Sequence, residues 1–356
     1  MPTWRQIKDD QSLWDIFYFR QEIISLVREY FHQQNFLELF TPILVPSVIP
    51  ESYVDIFTTT LLDRNLKKNK RFLIPSPEVS IKKLLVAGLS KCFEIARVFR
   101  NRESGSSFHY YEFTSLEWYR TQASYLDILE DCQNLIIYIF QKLKKKYPKR
   151  FNKKYLNIQN YKIDLSLPWQ MITVSQALKK FCQISFDEIT DRNNKKNFFP
   201  LSLIRKIAFK KGYKVEVNNT WEEIFNQIYL NEIEPYLGTD GRPTIIYDYP
   251  APVAALAKLK KDDKRIAERF EVYFGRIELA DCCTELTDYK EQKKRFRQNL
   301  SQIKKSGKNP IIADLDFLEA LKSGLPDCAG IALGVDRLIM ILGNYSFISD
   351  TLLTYN

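Results

Sequence analysis

Histidine is nearly missing from this 356-residue chain: only His32 and His109 occur. That sets aside a Ser-His-Asp triad and a histidine-rich zinc site. The six cysteines, Cys92, Cys132, Cys182, Cys282, Cys283 and Cys328, form no CxxC pair and read as reduced, mostly buried thiols. The glycines never fall into GxxxxGK[ST] or GxGxxG, so the two usual backbone cradles for phosphate are absent. No apolar run approaches the ~18 residues of a membrane span. The opening MPTWRQIKDDQSLW lacks a basic-then-apolar signal pattern. A soluble cytoplasmic protein with no membrane partner is the expectation.

What is present is a hydrophobic content of 45%, enough for a large core, and a net charge of +10. That charge favours an acidic partner, although an AT-rich genome would produce part of the same lysine excess. Apolar residues at helical spacing predict a helix over 15–34, stopped at Asn35. An extended segment broken by Pro42 and Pro46 follows, as suits an edge or interface strand. The run RFLIPSPEVSIKKLL predicts a short strand, a Pro75-Ser76-Pro77-Glu78 turn and a helix. KCFEIARVFRN and FHYYEFTSLEWYR read as strands joined by a polar loop over 102–107, ahead of a long helix over 124–147 that ends in lysines. Residues 148–241 change character and read as an inserted, peripheral helical region without candidate catalytic residues. Around it stand residues 1–147 and 242–356 as the two parts of one core.

The most informative stretch is RIAERFEVYFGRIELADCCTELTD, where Glu271, Glu278 and Glu285 recur every seven residues. Alternation around Gly275 predicts a β-hairpin that brings Glu271 and Glu278 near each other. Carboxylates gathered in this way repel unless a cation sits among them, such as Mg²⁺ on a nucleotide or a substrate ammonium. Spacing alone leaves open three ordinary exposed strand glutamates. With no glycine cradle, phosphate binding would fall to arginines that end strands, and Arg100 and Arg337 are the candidates. Near the C-terminus Gly330, Ala332 and Gly334 alternate with apolar residues, a strand against whose backbone something can lie flat.

Taken together and in order, these units resemble the catalytic core of class II aminoacyl-tRNA synthetases in the lysyl-type branch. The proline-containing strand expected at Phe40 to Ile43 resembles motif 1, VFRNRE…HYYEF motif 2 and GIALGVDR motif 3. Within that branch SPE, KKLLVAG, EFTSLEWYR, AERFEVY, IELA, ELTD and LPDCAG are most similar to the elongation factor P β-lysyltransferases. Such a core begins almost at residue 1, leaving no room for an N-terminal anticodon-binding barrel. The resemblance implies an α+β fold, an antiparallel sheet flanked by helices with a helical insertion, and a homodimer through motif 1. It implies an ATP- and Mg²⁺-dependent ligase that activates β-lysine or a related amino acid as the acyl-adenylate. The acyl group would pass to a lysine of elongation factor P, a small acidic protein. A stand-alone tRNA synthetase and a silent paralogue that binds nucleotide, tRNA or a translation factor are the alternatives.

By resemblance Arg100, Arg337 and Glu278 are the catalytic residues, with Glu271 and Glu278 on the metal. Glu103, His109, Phe113, Leu279 and Gly334 would complete the ATP site, Phe113 stacking on adenine opposite Arg337. Ser76, Glu78, Glu117, Tyr119, Asp281, Glu285 and Ala332 would hold the amino acid, the carboxylates meeting its ammonium groups. The chain departs from the pattern in places. Arg102 stands where motif 2 usually has its glutamate, Tyr110 and Tyr111 replace Asn-Pro, and IELADC replaces IELANG. The last puts Asp281 where an asparagine usually helps hold the substrate carboxylate, so Asp281 must be turned away, neutralised, or matched to another substrate.

Overall fold

A computed structural model describes residues 3–103, 106–151 and 154–352. Ser104 and Gly105, which belong to the SGSSF loop after motif 2, lie outside the described residues. The chain divides into two compact units, one made of Met1–Lys153 with Thr287–Asn356, the other of Lys154–Leu286.

In the first unit the strands Leu37–Glu38, Lys91–Phe99, Glu112–Thr121 and Cys328–Gly334 lie side by side in that order. The first pair is parallel and the others antiparallel. The helix Trp14–Gln33 forms where the spacing predicts it, and Asn35 takes φ +60° just beyond its end. Its buried stripe includes Phe19, Ile23, Val27 and Phe31. Phe31 stacks on Phe93 at 4.8 Å and meets Trp118 at 5.2 Å, which seats the helix on the sheet. The turn at Pro75 leads into the helix Glu78–Val86, as the prolines require. The strand Cys328–Gly334 feeds the helix Val335–Gly343. Its buried Asp336 accepts the Thr114 amide at 2.6 Å and an Arg20 N–H, fixing the helix start to the neighbouring strand. What lies flat on this strand is part of the chain itself. A Cβ at Gly330 would fall 2.0 Å from the Tyr119 ring, so only glycine fits.

In the second unit the strand order is Ile277–Thr284, Ile266–Phe274, Thr244–Pro250 and Gln170–Thr173. The last pair is parallel and the others antiparallel. The expected hairpin is there, its turn made by Gly275 at φ +55° and Arg276 at φ +74°. Two successive left-handed residues match the twist of the flanking strands. Residues 148–241 are not all helical. Besides the helices Leu201–Lys210 and Trp221–Glu232 they hold three strands, Tyr155–Ile158, Tyr161–Asp164 and Gln170–Thr173. One apolar core joins Ile224, Phe225 and Ile228 of the second helix to Ile246, Tyr249 and Tyr273 of the sheet. All six cysteines are free thiols. Among the described residues no helix is long and apolar enough to cross a membrane.

Candidate active site

In the first unit the motif 2 strand carries Glu117 at its centre, 1% exposed. Antiparallel pairing sets Ala332 directly opposite Glu117 and Gly330 opposite Tyr119. Ser76 donates to Glu117 Oε1 at 2.7 Å and the Tyr119 hydroxyl to Oε2 at 3.2 Å. Burial, reinforced by the nearby Glu78 charge, pushes the Glu117 carboxyl up to about 8 against the pull of Ser76, Tyr119 and Arg100. Five of the expected amino-acid residues, Ser76, Glu78, Glu117, Tyr119 and Ala332, are therefore brought together. Glu78 already carries a cation, because Lys82 bonds its Oε1 from a side chain only 2% exposed. Sequence reasoning missed Lys82, although the i,i+4 spacing on a helix was there to be read.

The Arg100 guanidinium lies over the Phe113 ring at 5.3 Å from its centroid. Its nearest acid is Glu103, at 3.9 Å, and its buried Nε has no hydrogen-bond partner. A buried guanidinium N–H left unmet is what an anion would satisfy. Arg102 adopts φ +61° and turns away to Asp55 at 3.0 Å. The shift of the motif 2 glutamate by one residue is absorbed by that left-handed turn, which leaves Glu103 beside Arg100. Arg337 donates from Nε to the Phe108 carbonyl at 3.1 Å and lies 2.8 Å from His109 Nε2. Gly334, where the strand Cys328–Gly334 ends, lies beside the Arg337 side chain, and a Cβ there would meet Arg337 Cδ at 3.4 Å, an ordinary contact. Tyr110 and Tyr111 stack with centroids 4.2 Å apart.

In the second unit Glu271 pairs in register with Asp281, and Glu278 with Tyr273. Glu278 therefore stands one pair nearer the turn than Glu271 and on the same face, because Tyr273 and Glu271 are two residues apart on one strand. The register shifts between Val272 and Tyr273, leaving Leu279 as an extra residue on the other strand. Such a bulge reverses the alternation, so that Asp281, three residues beyond Glu278, shares the face of Glu271, Tyr273 and Glu278. The four-part face is held by Arg269, which sequence reasoning missed. Arg269 grips Asp281 with two bonds of 2.9 Å, gives 2.6 Å to Glu271 and 2.8 Å to the Val253 carbonyl, and lies over the Tyr249 ring at 4.4 Å. Asp281 is thus ion-paired within the chain, with Arg269 shared between it and Glu271.

Glu271 Oε2 is met by the hydroxyls of Tyr273 at 2.7 Å and Tyr229 at 3.4 Å. Burial lifts the Glu271 carboxyl to about 7 against the Arg269 charge, with Glu278 and Asp281 pushing upward too. Tyr229 and Glu222, the latter within reach of the Arg269 charge, belong to the helix Trp221–Glu232. The region expected to be peripheral thus contributes to the hairpin cluster. Glu285 is buried beyond it and receives the Cys283 thiol at 3.7 Å. Among the described residues no group of three or more His, Cys, Asp and Glu is placed to hold a metal ion.

The sequence pattern of the class II tRNA synthetases (D, K and N) matches residues 4–353. The chain belongs to that family. In this synthetase chain the stretch read as motif 2 falls on the paired strands Lys91–Phe99 and Glu112–Thr121, and that read as motif 3 on Cys328–Gly334 and the helix after it. The chain is 34% identical over 342 residues to the elongation factor P–(R)-β-lysine ligase of Buchnera aphidicola from Schizaphis graminum, covering 94% of this chain and 93% of that protein. The enzyme of the same name from Haemophilus ducreyi is 32% identical over 94% of this chain and 91% of its own. The lysine–tRNA ligase of Carboxydothermus hydrogenoformans is 32% identical over 95% of this chain, but this synthetase chain spans only 64% of its length.

Proposed function

We propose that this synthetase activates a lysine-type amino acid with ATP and transfers it to a lysine of elongation factor P, working in the cytoplasm. The observation that carries the reading is the Glu117 pocket: a buried carboxylate that accepts from the Ser76, Ser115 and Tyr119 hydroxyls and, among the described residues, has no cation in hydrogen-bond contact. An ammonium-bearing substrate would complete it. Support for the acceptor comes from relatives matched over 91% and 93% of their own length that are named for it.

The substrate carboxylate, ionised at neutral pH, attacks the α-phosphorus of ATP and pyrophosphate leaves, so no general base is needed. That suits a chain with two histidines. Arg100, with its unmet Nε, takes the α-phosphate as charge builds there, while Phe113 and Arg337 hold the adenine and outer phosphates and His109 assists. Glu278 and Glu271 raise each other's energy by repulsion, which a divalent cation on the phosphates would relieve, so the pair fits Mg²⁺. Mg²⁺ would neutralise phosphate charge there. In the second step the acceptor amine attacks the acyl carbonyl, AMP leaves, and the amine proton passes to solvent. Exposed Leu37, Phe40, Ile43 and Leu44 along motif 1, Phe40 at 82% exposure, support a homodimer through that segment.

Amino-acid-dependent ATP–pyrophosphate exchange across α-lysine, β-lysine and other amino acids tests the first step. Exchange with none of them would point to a silent paralogue. Labelled acyl transfer to tRNA in place of elongation factor P would overturn the acceptor.

A further inference from the structure

Two helices of the first unit are rich in lysine, and they differ in what the charges do. On Tyr125–Lys146 the lysines crowd the C-terminus, where the helix dipole favours them, and Lys142 and Lys146 pair with Glu29 and Glu22 at 2.7 and 2.5 Å. The helix Tyr289–Lys305 carries seven cations against one acid, Glu291. Lys290, Lys293 and Lys294 sit in its first turns, where the dipole opposes them. Lys290, Lys294 and Arg297 follow one another at i,i+4 and i,i+3, spacings at which like charges cost about 0.2–0.5 kcal/mol per pair. Glu291 serves Arg295 at 3.0 Å and reaches Lys294 only at 3.6 Å. Lys290, Arg297, Lys304 and Lys305 are exposed and, among the described residues, have no acidic partner. The opposite face, with Phe296 and Ile303, is buried. Helix stability alone does not account for such a stripe, which at 1.5 Å per residue runs about 20 Å.

We propose that the outer face of Tyr289–Lys305 docks an acidic protein, the acceptor of the acyl group. The inference rests on the acyl-transfer reading above and names the surface that would bring the acceptor in. The stripe offers no aromatic platform for nucleobases: Phe296 is packed on Phe317 at 6.2 Å, and Tyr289 lies under the Lys293 ammonium. What remains is a row of cations suited to carboxylates, which steers encounter and sets salt dependence more than it adds tight contacts. The helix is also tied to the amino-acid pocket. Phe296 stacks on the helix Leu315–Gly324, whose N-cap Asp314 takes Lys83, and Lys83 belongs to the helix that Glu78 begins.

The test is the triple variant K290E/K294E/R297E, with K304E/K305E as a second variant, their folding checked by circular dichroism and thermal melting. ATP–pyrophosphate exchange should stay within twofold of the parent, while the KM for elongation factor P in acyl transfer rises at least tenfold and the salt dependence flattens. Direct binding of fluorescent elongation factor P, read by anisotropy, should weaken in parallel. Transfer and binding unchanged within twofold would overturn the proposal, and so would a loss confined to tRNA binding. Failure of exchange in the parent chain would remove the acyl-transfer reading alone, because the anisotropy series still reports whether the stripe binds the acidic protein.

Discussion

Glu117 in the first unit and Glu271 in the second are both buried carboxylates on sheet strands, and burial raises both, to about 8 and about 7. They are completed differently. Glu271 has a guanidinium built in, Arg269 at 2.6 Å, and shares it with Asp281. Glu117 has hydroxyls, while the nearest buried ammonium, Lys82, is spent on Glu78. One carboxylate has a cation built in beside it and the other has none in hydrogen-bond contact among the described residues. Desolvating a charge is tolerable only with a partner, so Glu117 depends on the substrate ammonium, while Glu271 is already held by Arg269 before any cation reaches Glu278.

The largest way to break this contrast is Arg269→Met. Removing the one cation from two acids should cost about 3–5 kcal/mol in urea unfolding, the usual cost of orphaning a buried charge. Adding Glu271→Gln and Asp281→Asn to that background should restore much of the loss, because neither acid that Arg269 held then remains charged. A single-variant loss below about 1 kcal/mol would show that the second cluster is not held by Arg269.

Glu117→Gln should do the reverse: leave stability near neutral pH within about 1 kcal/mol and lower amino-acid activation on the order of 100-fold in kcat/KM. The pH dependence carries a sign. The Glu117 carboxyl moves from its ordinary value of 4.5 to about 8 in the fold. Between those values the folded state binds more protons, so stability is fullest at the acid end and falls as pH rises toward 8. The Gln variant should flatten that part of the slope, measured as unfolding free energy from pH 5 to about 8. A parallel fall in stability and activity would make Glu117 structural.

Order and local pattern made much of this legible in the sequence. The helix Trp14–Gln33, the turn into Glu78–Val86 and the glutamate hairpin follow from periodicity or proline position, whereas the strand expected at Phe40 to Ile43 is absent, its prolines leaving only Leu37–Glu38 and Leu44–Val45 on either side. The wiring was less legible, because it depends on register. A single extra residue, Leu279, decides that Asp281 shares a face with Glu271 and Glu278, and nothing in IELADC announces a bulge. Arg269 lies two residues before Glu271, on the same strand face, and was overlooked because the motif string names the glutamate. Tyr229 stands 42 residues from Glu271 in a stretch read as peripheral, and only the packed helix brings its hydroxyl there. Arg102 looked like a defect in motif 2, yet its left-handed turn restores the glutamate beside Arg100.

The smallest expected effect is Asp281→Asn, and it sharpens the contrast most. Asp281 replaces an asparagine expected to face the substrate carboxylate, a position where an unpaired second carboxylate would cost several kcal/mol, to order of magnitude. The Asp281 side chain is 41% exposed, with both oxygens on Arg269. Asn would keep one acceptor for Arg269, so the clamp should weaken rather than open. We expect stability to fall by no more than about 1 kcal/mol, as for other half-exposed pairs, and the KM for the amino acid to change less than about threefold. Activation improved tenfold or more with stability unchanged would mean that Asp281 repels the substrate despite Arg269. The Asp281 charge would then face the ligand rather than be held within the chain.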